Sequence, residues 1–171
     1  SWMYALLAFA SVGVLVPFFF YNVFGNANRG HKIFMGDTGS LTLGFILSVM
    51  AVKYVSVMVL ESSRLDGAPV VMAFSVLLVP SLDVCRVVLN RFRRRVHPFK
   101  PDKSHIHHKF LDMGFTPRRS MILIQLMAVA FIVLTLVLLR IGLLAPVVFM
   151  LDILVWTLMN VWFSRIIRRR A

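Results

Sequence analysis

The chain has 171 residues, 59% of them hydrophobic, with a mean hydropathy of +0.83 and a formal charge of +12. A soluble domain of this length cannot hide so much apolar surface from water, so an ordinary globular protein is excluded and an integral membrane protein remains. The single cysteine, Cys85, excludes an intrachain disulfide and a cysteine metal cluster; inside an apolar run it is expected to be a small buried packing residue.

Five apolar runs are long enough to cross as helices, given a hydrocarbon core of about 30 Å. In chain order they are Trp2 to Phe24, Thr42 to Leu60, Pro69 to Leu89, Ser120 to Leu139 and Leu143 to Phe163. None alternates with the period of two that a barrel strand needs, so the expected fold class is all-α, a polytopic transmembrane helix bundle. The first run is no convincing signal peptide. It lacks a basic leader, is too long, and carries Pro17 and the Phe18-Phe19-Phe20 cluster with no small-residue cleavage site ahead of them. The chain opens on Ser directly in an apolar run, so a piece of a longer polypeptide is expected.

Between the runs, residues 25–41, 90–119 and 164–171 fall on one side of the membrane, and residues 61–68 and 140–142 on the other. Sixteen of the nineteen Lys and Arg lie on or beside the first side, leaving Lys53, Arg64 and Arg140 elsewhere. The positive-inside bias makes that side cytoplasmic. All five histidines and Asp37 share it, so the polar chemistry is expected there. Arg165, Arg168, Arg169 and Arg170 are accounted for by topology and by attraction to anionic lipid.

Asp37 sits in "IFMGDTGSL", between Gly36 and Gly39, at the mouth of the second run. Two roles stand level: a cap on the helix that starts there, with Thr38 or Ser40 also able to cap, or a ligand for a divalent metal. Magnesium suits the second, since it takes one or two carboxylates plus substrate phosphates.

The connection 90–119, "NRFRRRVHPFKPDKSHIHHKFLDMGFTPRR", is longer than ordinary helix–helix loops and dense in Pro, Phe and His, which points to an ordered, functional segment. On a helix His105 and His108 would share a face with Lys109 beside His105, while His107 would point elsewhere. The surrounding Arg93, Arg94, Arg95, Lys100, Lys103 and Lys109 would repel a cation and suit a polyphosphate. A phosphate clamp and a merely solvated basic loop are equal readings of the residues, and a zinc site on HIHH is the lesser one, lacking a matching cysteine or acidic pattern.

Asp83 lies within the third run, three residues before Arg86 and after Pro80. Ionisable groups inside spans are costly and face a bundle interior or cavity. Asp83 is expected either to pair with Arg86 or to support the site from behind its ligands. Lys53 and Asp152 lie at similar depths in their runs and are expected to pair within the bilayer, a structural role; the alternative is that Lys53 snorkels and Asp152 bonds to a neighbouring helix. No Walker loop, Rossmann fingerprint, nucleophile elbow or repeat is present.

Taken together, "KIFMGDTGSLTLGF" and "PFKPDKSHIHHKFLDMGF", with the preceding "YN" and the intervening "VPSLDVCRVVLNRFRRRVHPFKPDK", resemble the polyprenyl-phosphate N-acetylhexosamine-1-phosphate transferases. The HIHH form and its PDK lead-in resemble the WecA/TagO-like glycan-initiating branch more than the peptidoglycan branch. The resemblance covers nearly the whole chain. It implies that residues 1–171 are the C-terminal half of a multi-span enzyme of the bacterial inner membrane, with cytoplasmic active-site loops at 25–41 and 90–119. That enzyme moves a sugar-1-phosphate from a UDP-sugar to undecaprenyl phosphate and releases UMP. Magnesium is the implied cofactor, with manganese as an alternative.

On that analogy Asp37 is the metal ligand. His105 and His108 are catalytic at the nucleotide-sugar phosphates, and Asn22, Arg94, Lys103 and His107 bind substrate. Membrane lipids, the N-terminal half and a second copy in a homodimer are compatible partners; nucleic acid is not expected. The chain departs from the family in two ways. It has no adjacent Asp pair, so alone it is expected to be inactive. "VFGNANRGH" also lengthens the interval between Asn22 and Asp37, which leaves Asn26 and Asn28 as alternatives for the nucleotide pocket. A non-enzymatic membrane anchor with an anion-binding loop and a zinc-dependent membrane hydrolase are the rival functions.

Overall fold

A computed structural model of the chain describes residues 2–25, 33, 35–62, 66–93, 95 and 105–170. Among these the chain is helical: α1 (Trp2–Phe24), α2 (Gly36–Ser62), α3 (Ala68–Arg93), α4 (Ile106–Asp112), α5 (Pro117–Arg140) and α6 (Ala145–Arg170). All but α4 are long and apolar enough to cross a membrane, and large apolar side chains such as Trp2, Phe9, Phe45, Leu126 and Leu158 stand exposed on them. Exposed apolar residues in such numbers suit helices whose solvent is lipid, and Cys85 of α3, expected to be buried, is exposed in the same way. The protein is a multi-pass membrane protein.

The spans outrun their apolar cores. α2 starts at Gly36 rather than Thr42, α3 continues to Arg93, α5 starts at Pro117, and α6 reaches Arg170. Hydropathy marks only the part of a helix that lipid surrounds, whereas backbone hydrogen bonding carries the helix on into the headgroup region. Residues 90–93 and 117–119, expected in the connecting loop, are therefore helical.

The chain divides into two compact units, residues 1–56 and 57–171. In the first, the Lys53 ammonium lies 5.3 Å from the centroid of the Tyr4 ring, a cation–π contact that sets the start of α1 beside the later part of α2.

In the second unit α3, α5 and α6 pack together, with α4 laid across one end against α5 and α6. Val71, Ala145 and Val148 close the far end. At the near end Ile106 and Phe110 of α4 and Met113 just after it, at helical spacing, enter a core with Leu78 and Val79 of α3, Met127 and Phe131 of α5, and Trp156 and Phe163 of α6. The C-terminal ends of α3 and α6 and the N-terminal end of α5 thus gather around α4.

The corner from α4 into α5 is written in "DMGFTP". Gly114 takes φ +90°, open at low cost to glycine, and its N–H donates to the Leu111 carbonyl at 2.9 Å while Phe115 N–H donates to the Phe110 carbonyl at 3.1 Å. Those two bonds form a Schellman ending, completed by an edge-on contact between the Phe110 and Phe115 rings at 6.0 Å. Thr116 then caps α5, its Oγ1 accepting from Arg119 N–H at 3.4 Å, and Pro117 supplies the first helical residue. α4 therefore leaves in a fixed direction.

Candidate active site

α4 is too short to hold a helical conformation by itself. Its start is secured by a different helix. His105 precedes α4 in an extended conformation and its side chain caps nothing. Instead Asp83 of α3 reaches over: its Oδ2 accepts from Ile106 N–H at 3.2 Å and from His105 Nδ1 at 3.0 Å. Its Oδ1 accepts from Arg86 Nη2 at 2.7 Å and from Nε at 3.3 Å. Asp83 is buried, and four donors satisfy it. The two arrangements expected for Asp83, an ion pair with Arg86 and a bond behind the histidines, coexist. Because a carboxylate only accepts, the His105 proton facing it is on Nδ1, which leaves Nε2 as the atom available for other chemistry.

The other imidazoles follow on α4. The His107 and His108 ring centroids are 4.0 Å apart, and His107 lies 6.2 Å from His105 with the rings nearly parallel. His107 is thus the ring that approaches both others, where helical spacing had turned it away. The cause is His105 itself: it stands outside the helix, so the helical repeat does not govern its direction. Burial, with positive charge from His108 and His105, pulls the His107 pKa below 6.5 and keeps it neutral at pH 7.

Lys109 departs from the expectation of a free phosphate-binding cation. Its Nζ donates to the Asn160 carbonyl at 3.3 Å, Asn160 Oδ1 at 3.2 Å and Ser164 Oγ at 2.9 Å, tying α4 to α6. Burial and then the charge of Arg86 lower its pKa from 10.5 to about 8. The signal for this tether was present in the sequence as Asn160 and Ser164, one helical turn apart near the end of an apolar run.

In the first unit Asp37 lies in the first turn of α2, exposed, after Gly36 at φ +69°. Ser40 Oγ donates to the Asp37 carbonyl at 2.9 Å, while the Asp37 carboxylate makes no hydrogen bond to a described residue. Among the described residues nothing occupies its oxygens, and it fits magnesium as one carboxylate among water and phosphate oxygens. Asn22, in the last turn of α1, donates through Nδ2 to the Phe18 carbonyl at 3.0 Å.

Asp83, His105, His107 and His108 are brought together. Arg94, Lys103, Asn26 and Asn28 lie outside the described residues. Lys53 and Asp152 belong to different units: Lys53 faces Tyr4, and the buried Asp152 accepts from Thr135 Oγ1 at 2.7 Å. Among the described residues no group of three His, Cys, Asp or Glu side chains is placed to hold a metal ion, so the zinc hydrolase gains no support.

Membrane spans with an imidazole cluster hung from them by a buried carboxylate define a multi-pass membrane protein with a polar site at one end of a helix bundle. The family described as glycosyl transferase family 4 matches residues 1–55. The undecaprenyl-phosphate alpha-N-acetylglucosaminyl 1-phosphate transferase of Yersinia pestis is 32% identical over 126 residues, 72% of this chain and 32% of the relative. The enzyme of that name from Escherichia coli K12 is 33% identical over the same shares, and that from Pasteurella multocida 30% identical over 72% of this chain and 33% of the relative. The chain is thus similar to glycosyl transferase family 4 over residues 1–55 and to these transferases over 72% of its length. It spans about a third of the length of the curated relatives it matches. No solved structure matches it.

Proposed function

We propose that the chain is part of an enzyme that transfers a sugar-1-phosphate, N-acetylhexosamine-1-phosphate, from a UDP-sugar to undecaprenyl phosphate at the cytoplasmic face of the bacterial inner membrane. UMP is released, and the lipid diphosphate sugar begins an envelope glycan. One observation carries this: relatives named for that reaction match 72% of the chain, a share that cannot avoid the central stretch holding His105, His107 and His108.

In the reaction an oxygen of the lipid phosphate bonds to the β-phosphorus of the UDP-sugar, and the oxygen bridging the two phosphorus atoms leaves with UMP. Magnesium, when bound, neutralises the diphosphate, with Asp37 as its carboxylate from this chain. The chain's other residues hold and orient. His105, fixed by Asp83, presents Nε2 as an acceptor for a phosphate O–H; His108 and the neutral His107 add donors; Arg94 and Lys103 hold the diphosphate and Asn22 the nucleotide. The acceptor's isoprenoid tail lies along the apolar spans.

The test is UMP release in membranes where this chain is co-expressed with the part of a relative that its match leaves uncovered. Asp37→Asn and His105→Gln should each abolish most turnover. Wild-type turnover by Asp37→Asn would remove Asp37 from the metal site. Against the membrane-anchor alternative, UDP-sugar or UMP should compete for binding better than generic polyanions; equal competition would favour the anchor.

A further inference from the structure

A cavity of about 660 Å³ opens between α3, α4 and α6. None of the three described histidines lines it. Five cationic side chains do, Arg86, Arg93, Lys109, Arg165 and Arg168, against one carboxylate, Asp112. Arg86 is engaged by Asp83 and Lys109 by α6. Arg93, Arg165 and Arg168 are exposed and make no ion pair with a described residue. Three cations with no ion pair among the described residues converge on one space and favour an anion there.

The cavity is graded along its length. Arg93, Arg165 and Arg168 stand near the C-terminal ends of α3 and α6, where those spans leave the membrane. Deeper along α6 the wall becomes Val161 and Trp156, and on α3 Leu89, with Leu89 and Val161 themselves exposed on the bundle surface. Trp156 is buried, and its Nε1 has no hydrogen-bond partner among the described residues. From Trp156 to Arg168 the helix rises about 18 Å, enough to seat a headgroup at the arginines and the first part of an acyl chain below. A free nucleotide has no use for the apolar end, whereas a phospholipid uses both.

We propose that this cavity is a specific site for an anionic phospholipid of the leaflet at which α3 and α6 end, its phosphate held by Arg93, Arg165 and Arg168 and its acyl chain against Leu89, Val161 and Trp156. Two walls, Arg86 and Lys109, also hold α4, so the lipid site and the histidine cluster share side chains.

The test is lipid retention by the protein in nanodiscs of phosphatidylcholine with and without phosphatidylglycerol, read by native mass spectrometry after exchange into detergent. The protein should retain phosphatidylglycerol over phosphatidylcholine. Replacing Arg93, Arg165 and Arg168 together with Gln should cut that preference by about tenfold or more, because the seated phosphate loses its charge-assisted hydrogen-bond donors. Replacing Arg118, Arg119 and Arg169, equal in charge but outside the cavity, should leave it within about twofold, because these residues do not line the site. Val161→Trp, which obstructs the apolar end without changing charge, should also reduce retention, and it keeps the test meaningful if the triple variant fails to fold. Equal losses in both triple variants would mean diffuse attraction and overturn the site. So would no loss in the cavity triple or in Val161→Trp, or displacement of the lipid by UMP or inorganic phosphate.

Discussion

Asp83 and His105 are separated by twenty-two positions and joined at 3.0 Å, carboxylate to imidazole Nδ1, across the gap between a membrane span and a short helix outside it. The bond fixes which imidazole nitrogen carries the proton and where the ring points. Asp83→Asn keeps the shape but leaves a single acceptor oxygen for four donors. A loss of about 1–3 kcal/mol in stability is expected from the unsatisfied groups. UMP release should fall by up to about 100-fold as His105 loses its position. Thermal melts in detergent, set beside turnover corrected for folded protein, separate the two effects; unchanged turnover per folded molecule would deny Asp83 its orienting role.

Lys109 carries a pH dependence. Its folded pKa is about 8 against 10.5 in the unfolded chain, so between those values the unfolded state binds more protons. Stability should therefore rise with pH across that window and flatten above it, relative to Lys109→Met, which has no such proton. Melting curves of the two proteins at graded pH check this; parallel curves would exclude it.

The corner after α4 depends on a backbone conformation only glycine adopts at low cost. Gly114→Ala at φ +90° should destabilise by about 1–2 kcal/mol. Nothing lies within 4 Å of the added methyl group, so the penalty is one of backbone rather than crowding. Gly114→Asn should lose less, because Asn tolerates the left-handed region better. A chemical unfolding series of the three proteins would show the order, and an Ala variant as stable as wild type would contradict it.

Thr135 and Asp152 make a second buried contact, inside the bundle. Asp152 Oδ2 accepts from Thr135 at 2.7 Å, while its Oδ1 has no partner among the described residues. Thr135→Val should cost about 1–3 kcal/mol by leaving a buried carboxylate with fewer donors still. Thr135→Ser should restore it. If Val and Ser behave alike in unfolding measurements, the hydroxyl contributes nothing.

Much of this was legible in the residues. Length and hydropathy are enough to locate five spans, because a lipid core about 30 Å thick demands long apolar runs. Gly114, Thr116 and Pro117 announce the turn into α5 in the order such corners require. The helix ends were only partly legible: the Asp37 turn marked the start of α2, whereas hydropathy stopped short of Arg93 in α3 and of Pro117 in α5. Asp83 offered two readings, and both bonds form, because a carboxylate has two oxygens and three residues of helix do not exhaust them. Lys109 was misjudged for a physical reason: a lysine among arginines looks like one more free cation until its oxygen partners, more than fifty residues away, are folded against it.

α4 has one attachment to each of three spans: Asp83 from α3, the glycine corner into α5, and Lys109 onto α6. A short helix held to three different spans has little freedom to move by itself. The imidazoles can then shift only when the surrounding spans tilt, and tilt responds to the thickness of the bilayer. Turnover is expected to track acyl-chain length in reconstituted membranes, and a rate indifferent to chain length would show that the tripod has slack.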